Sequence, residues 1–224
     1  MVVQVRKNIL LADSIRLAFG SREVLNGAWL RAETGKVTGL LGRNGCGKSC
    51  MFRAIMGDLA PQDLFVKVNE LPVAGYREIG LYVKYLPQRP FLPPQMKLEE
   101  VFLWFGLDFS GLVAVFPNFS KYEYERVGNL SGGEKRIVEI WLCLYSGAPF
   151  CILDEPFAYL SPVYVEKVQK MIDEQKQHVG IIISDHNYEA ILEISDEILL
   201  LSQGYVHLVR DREDLVRLGY CRSV

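Results

Sequence analysis

Residues 37–49 read VTGLLGRNGCGKS, a short apolar run followed by Gly42-x-x-x-x-Gly47-Lys48-Ser49. Glycines at both ends let the backbone curl so that successive amides point inward and form a concave nest for an anion. Lys48 can then reach the outer phosphates of a nucleotide, and the Ser49 hydroxyl can ligand Mg²⁺. The apolar run predicts a strand. Residues 49–59 predict a helix whose N-terminus favours negative charge at the loop. A plain glycine turn would need neither the Lys-Ser pair nor this strand-loop-helix setting, so the stretch is read as a phosphate-binding loop.

The 224 residues suit one domain with an inserted subdomain, and half of them are hydrophobic, enough for a large core. A formal net charge of −2 leaves no electrostatic footprint for nucleic acid, and no polybasic run suggests an anionic membrane surface. Cys46, Cys50, Cys143, Cys151 and Cys221 are odd in number and lack paired metal-ligand spacing, which points to reduced thiols in the cytosol. The first residues, MVVQVRKNILLADS, hold too short an apolar run for a signal peptide.

In chain order, residues 9–19 and 23–32 predict two strands of a hairpin turning at Gly20-Ser21. Phe19 at the strand end either offers a ring face to a purine or belongs to the core. Residues 61–72 read as irregular, and 78–86 (EIGLYVKYL) as a strand ending before Pro87-Gln88. Residues 101–119 (VFLWFGLDFSGLVAVFPNF) carry only one charge, Asp108. The length approaches that of a membrane span, but Asp108, Gly106, Ser110-Gly111 and Pro117 argue against one. A small helical subdomain with its own core fits better, with part of its apolar surface available to a partner.

Three further stretches carry chemistry. Residues 130–134 (LSGGE) lead into a predicted helix over 134–146, in which Ile137, Ile140, Trp141, Leu144 and Tyr145 share one face. Gly132 and Gly133 at its start present bare amides suited to an anion. Residues 150–156 (FCILDEP) form an apolar strand ending in Asp154-Glu155. Neighbouring strand residues point to opposite faces, so one acid can hold Mg²⁺ while the other polarises an attacking water. A helix over 164–177 precedes a strand over 179–184 ending at Asp185-His186, where open α/β sheets bind ligands. Short strands over 197–201 and 205–209 and a polar helix from Arg212 complete the chain.

The series GRNGCGKS, Gln88, LSGGE, CILDEP and ISDH resembles that of the ABC-transporter ATPases over nearly the whole chain. The phrases LDEPFA, SDHN and LLSQG are most similar to the lipopolysaccharide-export and branched-chain amino-acid-import types. The resemblance implies an α/β fold: a P-loop NTPase core with a mostly parallel sheet, a small antiparallel β part and a helical subdomain inserted at about 89–146 within a single domain, 1–224. It implies ATP and Mg²⁺ as cofactors. Phe19 would stack on adenine, and Gly42, Arg43, Asn44, Gly45, Cys46, Gly47, Lys48, Ser49 and Cys50 would hold the phosphates. Ser49, Gln88 and Asp154 would attend the metal, Glu155 would be the general base, and His186 would contact the γ-phosphate. Ser131, Gly132 and Gly133 would close over ATP held by an opposing subunit, giving a homodimer or a heterodimer with a related ATPase.

By the same resemblance the chain would lie at the inner face of the cytoplasmic membrane and drive a separate membrane-spanning subunit docked near Gln88 and the helical subdomain. An ATP-gated scaffold of a soluble complex, turning over little, is the alternative. Three departures stand out. Ser161 occupies a position where the family carries Asp, and Trp141-Leu142-Cys143-Leu144 lacks a usual Arg, removing a polar anchor. Only 41 residues separate Gln88 from Leu130. Arg89-Pro90-Phe91-Leu92-Pro93-Pro94 follows Gln88, and its prolines stiffen a Phe-Leu pair that is either a docking anchor or part of the core.

Overall fold

The computed structural model describes residues 7–73 and 75–221. Residues 1–6, on which part of the signal-peptide reading rests, lie outside the described residues. Strands β1 (Ile9–Phe19) and β2 (Arg22–Glu33) form the expected hairpin, with Phe19 opposite Arg22 at its end. A register shift between Ala12 and Ile15, with Ser14 at φ 57°, resets the alternation. Leu10, Ala12, Ile15 and Leu17 are consequently all buried along one strand.

Strand β3 (Val37–Leu41) is buried at all five positions and leads through the glycine loop into helix α1 (Lys48–Ile55). Two sequence expectations fail in the next segment. Residues 61–72 hold two strands, β4 (Asp63–Val68) and β5 (Leu71–Pro72). A short, charged run gave little local signal; β4 forms because β1 is long enough to pair with it, Leu10 opposite Val68 and Arg16 opposite Asp63. The strand expected over 78–86 is instead helix α2 (Tyr76–Tyr82) followed by strand β6 (Val83–Leu86). Its pairing with the sheet runs only from Val83 to Leu86, so the preceding residues have no ladder to join and bury a helix face through Ile79.

The insertion contains α3 (Leu98–Phe105), α4 (Phe109–Val115), short 3₁₀ turns at Pro117–Tyr122 and Val127–Asn129, and the long helix α5 (Gly132–Tyr145). Among the described residues no helix is long and apolar enough to cross a membrane. Gly106 and Asp108 divide the apolar run: one ends α3 in the left-handed conformation, and the other caps α4 by accepting from Ser110 N. Strand β7 (Phe150–Asp154), helix α6 (Pro162–Gln175), strand β8 (Gly180–Ser184), helix α7 (Tyr188–Ile194), strands β9 (Glu197–Ser202) and β10 (Tyr205–Val209) and helix α8 (Arg212–Arg217) follow.

Two sheets result. The antiparallel one has the order β2-β1-β4-β5, and the larger one β10-β9-β3-β8-β7-β6. In the larger sheet every neighbouring pair is parallel except β10 with β9. Its central strands are buried on both faces, as parallel strands covered by crossovers must be. On one face Phe150, Ile152, Ile182 and Leu40 join Phe52 and Met51 of α1 and the inner side of the antiparallel sheet. On the other, Cys151, Leu153, Ile181 and Ile183 pack into one continuous cluster with Phe102, Phe116, Phe119 and Ile140 of the inserted helices. The insertion therefore shares its core with the sheet and does not have one of its own.

Helix α7 lies so close to β3 that Gly39 has no room for a side chain. A Cβ there would stand 2.5 Å from Ser195 Oγ and 2.7 Å from Ile191 Cγ2. Gly39→Ala is expected to lower stability by about 1–3 kcal/mol through overpacking, read as a lower urea midpoint at unchanged m-value. An unchanged midpoint would mean that α7 can retreat freely.

Candidate active site

Because β3, β8, β7 and β6 run parallel and side by side, the segments leaving their C-terminal ends gather along one edge of the sheet. A cleft of about 550 Å³ lies there. Asn44 to Gly47 line it from the loop after β3 and Lys48, Ser49 and Cys50 from the start of α1, with Gln88, Glu155 and His186 from the segments that leave β6, β7 and β8. Gly47 stands at φ 113° before α1, and Met51 N donates to its carbonyl at 2.8 Å, so the helix opens with its first amides free. Lys48 is buried and its Nζ donates to the Gly42 carbonyl at 2.6 Å. Phe19 is 53% exposed at the mouth of the cleft, so it is not a core side chain.

The structure does not bring every expected residue to this cleft. The Arg43 guanidinium turns away and donates to the Gly219 carbonyl at 2.7 Å, leaving only its backbone beside the loop. Ser131, Gly132 and Gly133 are not among the lining residues. Ser131 instead caps α5: its hydroxyl accepts from Glu134 N, and Glu134 accepts from Ser131 N at 2.8 Å. This reciprocal capping box was readable in the sequence as S-x-x-E.

Glu155 sits at the centre of the hydrogen bonding. Its Oε1 accepts from Gln88 Nε2 at 2.6 Å and lies 2.8 Å from His186 Nε2. Its backbone is in the left-handed region, φ 53°, an arrangement that a non-glycine residue keeps only when its surroundings enforce it. Among the enforcing groups, Glu155 N donates to the Ser184 carbonyl at 2.6 Å. Asp185, nearly buried, accepts from Phe157 N at 2.9 Å and from Asn187 N at 3.0 Å, tying the segment after β7 to the one carrying His186.

Arg136 also anchors this region, with a guanidinium that donates to the carbonyls of Pro87, Asp154 and Glu155. Trp141-Leu142-Cys143-Leu144 carries no arginine, as read from the sequence; the buried arginine of α5 is Arg136, more than one turn earlier. Trp141 itself stacks on Tyr145 with ring centroids 3.9 Å apart. A charged residue amid a helix start rich in Lys and Glu gave no signal of burial.

Asp154 is fully buried. Its Oδ2 accepts from the Tyr85 hydroxyl at 3.2 Å, whereas Oδ1 is buried without a hydrogen-bond partner. One orphaned carboxylate oxygen beside the Ser49 hydroxyl suits Mg²⁺, which takes one or two protein oxygens and completes its shell with phosphates and water. The described residues hold no cluster of three or more His, Cys, Asp or Glu that could bind a metal alone. Burial raises the Asp154 carboxyl above its ordinary value, against the lowering effect of the neighbouring Ser49 and Tyr85 hydroxyls.

A pKa raised by folding means that stability is lost as pH rises from the ordinary carboxyl value through the raised one and the buried group ionises. Asp154→Asn is therefore expected to make the nucleotide-free protein more heat-stable at neutral pH, with the gain vanishing under acid conditions. Thermal unfolding scans across pH measure this. A variant less stable than wild type at neutral pH would show that the ionised carboxylate is not a strained element.

The profile of one family, described as ABC transporter, matches residues 25–158. The lipopolysaccharide export system ATP-binding protein LptB of Acidithiobacillus ferridurans is 29% identical, covering 96% of this chain and 95% of that protein. A putative ABC transporter ATP-binding protein of Archaeoglobus fulgidus is 30% identical, covering 87% of this chain and 72% of the relative. The solved structure of an ATP-binding subunit of an ABC transporter superposes with a TM-score of 0.83 at 24% identity, over 96% of this chain and 95% of that one. With its strand order, its phosphate-binding loop and its acid pair at the end of β7, the chain belongs to the ABC transporter family.

Proposed function

We propose that this chain binds and hydrolyses Mg²⁺-ATP and that hydrolysis drives a separate membrane-spanning transporter subunit. The observation that carries the reading is Glu155: a carboxylate with a strained backbone, held by Gln88 and His186 at the mouth of a phosphate-binding loop. On this reading the loop amides and Lys48 hold the phosphates, and Phe19 stacks on adenine. Glu155 takes the proton from the attacking water, and His186 meets the γ-phosphate. Mg²⁺, when bound, would be held by Ser49 and Asp154 with Gln88 beside it, neutralising phosphate charge. The rest is the work of the chain: it orients the water and excludes competing arrangements of the acid. The scaffold alternative is not favoured, because a chain that only binds ATP has no use for a strained, doubly held carboxylate there.

The Ser131–Gly133 turn lies outside the chain's own cleft, which supports a head-to-tail dimer in which it closes over the nucleotide of an opposing subunit, identical or related. Tyr159, 77% exposed at φ 66°, lies against Gly132 and Gly133 and would share that interface. Lipopolysaccharide export, the activity in the name of the LptB relatives, is the transport process this chain would serve. Residence at the inner face of the cytoplasmic membrane follows from the same reading. The helical subdomain, about 89–146, would carry the docking surface. The Phe-Leu pair divides: Leu92 is buried in the core, while Phe91 is 37% exposed beside the exposed Gln88.

Glu155→Gln is expected to keep ATP affinity and slow single-turnover hydrolysis by about 10²–10⁴-fold, while Lys48→Ala weakens binding of a fluorescent ATP analogue. Hydrolysis near the wild-type rate in Glu155→Gln would remove it as the base. Phe91→Ala should remain folded with its basal rate intact but lose about 2 kcal/mol or more of partner binding. Pelleting with membranes that contain the partner reads this out, and unchanged pelleting would exclude Phe91 as an anchor.

A further inference from the structure

Helix α5 carries a buried ion pair that faces two ways. Arg136 is 3% exposed and Glu139 is completely buried, one turn apart, with guanidinium and carboxylate 3.7 Å from each other. Two ions removed from water are costly unless each is extensively hydrogen-bonded, and here the bonds go to backbone at functional segments. Arg136 Nη1 donates to the Pro87 carbonyl at 2.6 Å, immediately before Gln88. Its Nη2 donates to the carbonyls of Asp154 and Glu155, the latter at 2.9 Å. Glu139 Oε1 accepts from Phe91 N at 2.8 Å and Leu92 N at 3.3 Å.

We infer that Arg136 and Glu139 are positioning residues for hydrolysis, joining the segment 88–92 to the general base through one rigid clamp. Resting on the ATPase reading, this adds a route by which the surface around Phe91 governs the reaction. Arg136 holds the carbonyls on either side of the gap that Gln88 and Glu155 span, so it sets the 2.6 Å meeting of those side chains. It also fixes the carbonyl of Glu155 itself, whose φ of 53° needs outside enforcement. Glu139 supplies the countercharge and carries the restraint onward to Phe91 and Leu92. A displacement of Phe91 by a docked partner then pulls on Glu139, on Arg136 and on the carboxylate that activates water. Neither ion touches the cleft, so the pair governs the rate of the chemical step and leaves ATP affinity alone.

The test uses the full chain with Mg²⁺-ATP in single-turnover hydrolysis, paired with titration of a fluorescent ATP analogue. Arg136→Lys keeps the charge but not the three-way fork, and should slow hydrolysis by on the order of 10²-fold, the scale of a small misplacement of a reacting group, at unchanged ATP affinity. In a Glu155→Gln background the same change should have little further effect, because residues acting through one group are non-additive. Equal loss in both backgrounds, or a wild-type rate in a folded Arg136→Lys protein, would overturn the positioning role. Glu139→Ala should speed hydrogen exchange at the Phe91 and Leu92 amides and slow hydrolysis together; faster exchange at an unchanged rate would cut the link to the docking surface. If neither variant folds, the isosteric Glu139→Gln decides, because its carbonyl oxygen still accepts from Phe91 N and Leu92 N while the countercharge to Arg136 is lost. Slower hydrolysis in the folded protein supports the clamp, a wild-type rate overturns the need for the ion pair, and unfolding as well makes the pair a determinant of folding only. Absence of hydrolysis by the wild-type chain would instead defeat the ATPase reading beneath the inference.

Discussion

The parallel pairing of β3, β8, β7 and β6 is the constraint on which everything else depends. Parallel strands must return by crossovers, so all their C-terminal ends emerge at the same edge, and the chain is obliged to place a loop there after each strand. Val37 opposite Ile181, Phe150 opposite Gly180 and Val83 opposite Phe150 fix the stagger of the four strands. That stagger sets Lys48, His186, Glu155 and Gln88 around one cleft. A one-residue slip of β7 would turn Asp154 away from Ser49 and bring Leu153 or Glu155 in its place. Burial of the strands on both faces, by helices on one side and the antiparallel sheet on the other, makes such a slip prohibitively unfavourable.

The same edge concentrates the polar groups that a buried sheet can least accommodate. Asp154 has an unpartnered oxygen in the interior, Glu155 a left-handed backbone, and Arg136 a charge withdrawn from water. Each is unfavourable by itself. Together they form a preorganised environment in which a phosphate and its metal would meet groups already oriented, so that little rearrangement is needed when charge develops. The stability lost locally is offset by the two hydrophobic clusters that flank the sheet.

Helix α5 links these layers. Its apolar residues Ile137, Ile140 and Leu144 belong to the core shared by the sheet and the inserted helices. Its N-terminus carries the Ser131–Glu134 capping box, and its first two turns carry Arg136 and Glu139. A single rigid element therefore touches the surface turn, the acid pair and the segment after Gln88. Rigid-body movement of α5 would be communicated to all three, because a close-packed core shifts between discrete arrangements and does not deform continuously.

The elements with strong local signals were legible from the sequence. The glycine loop after β3, the hairpin of β1 and β2, the largely apolar β7 and β8 and the amphipathic α5 are specified by glycines, turn residues and hydrophobic period, which act over a few residues. The loop, the acid pair and His186 stood out as candidate site residues for the same reason, and the fold gathers the loop, Glu155 and His186 at one cleft. What tertiary structure alone decided were features set by a distant partner. Strand β4 exists because β1 is long enough to pair with it, and α2 replaces a strand because β7 offers no ladder beyond Val83. Phe91 and Leu92, adjacent in sequence, go to surface and core because Glu139 pins their amides from another element. Arg136 reads as an ordinary charged helix residue until the fold brings three backbone carbonyls around it: a charge is buried by the groups that surround it in space, and those groups lie 18 to 49 positions away along the chain.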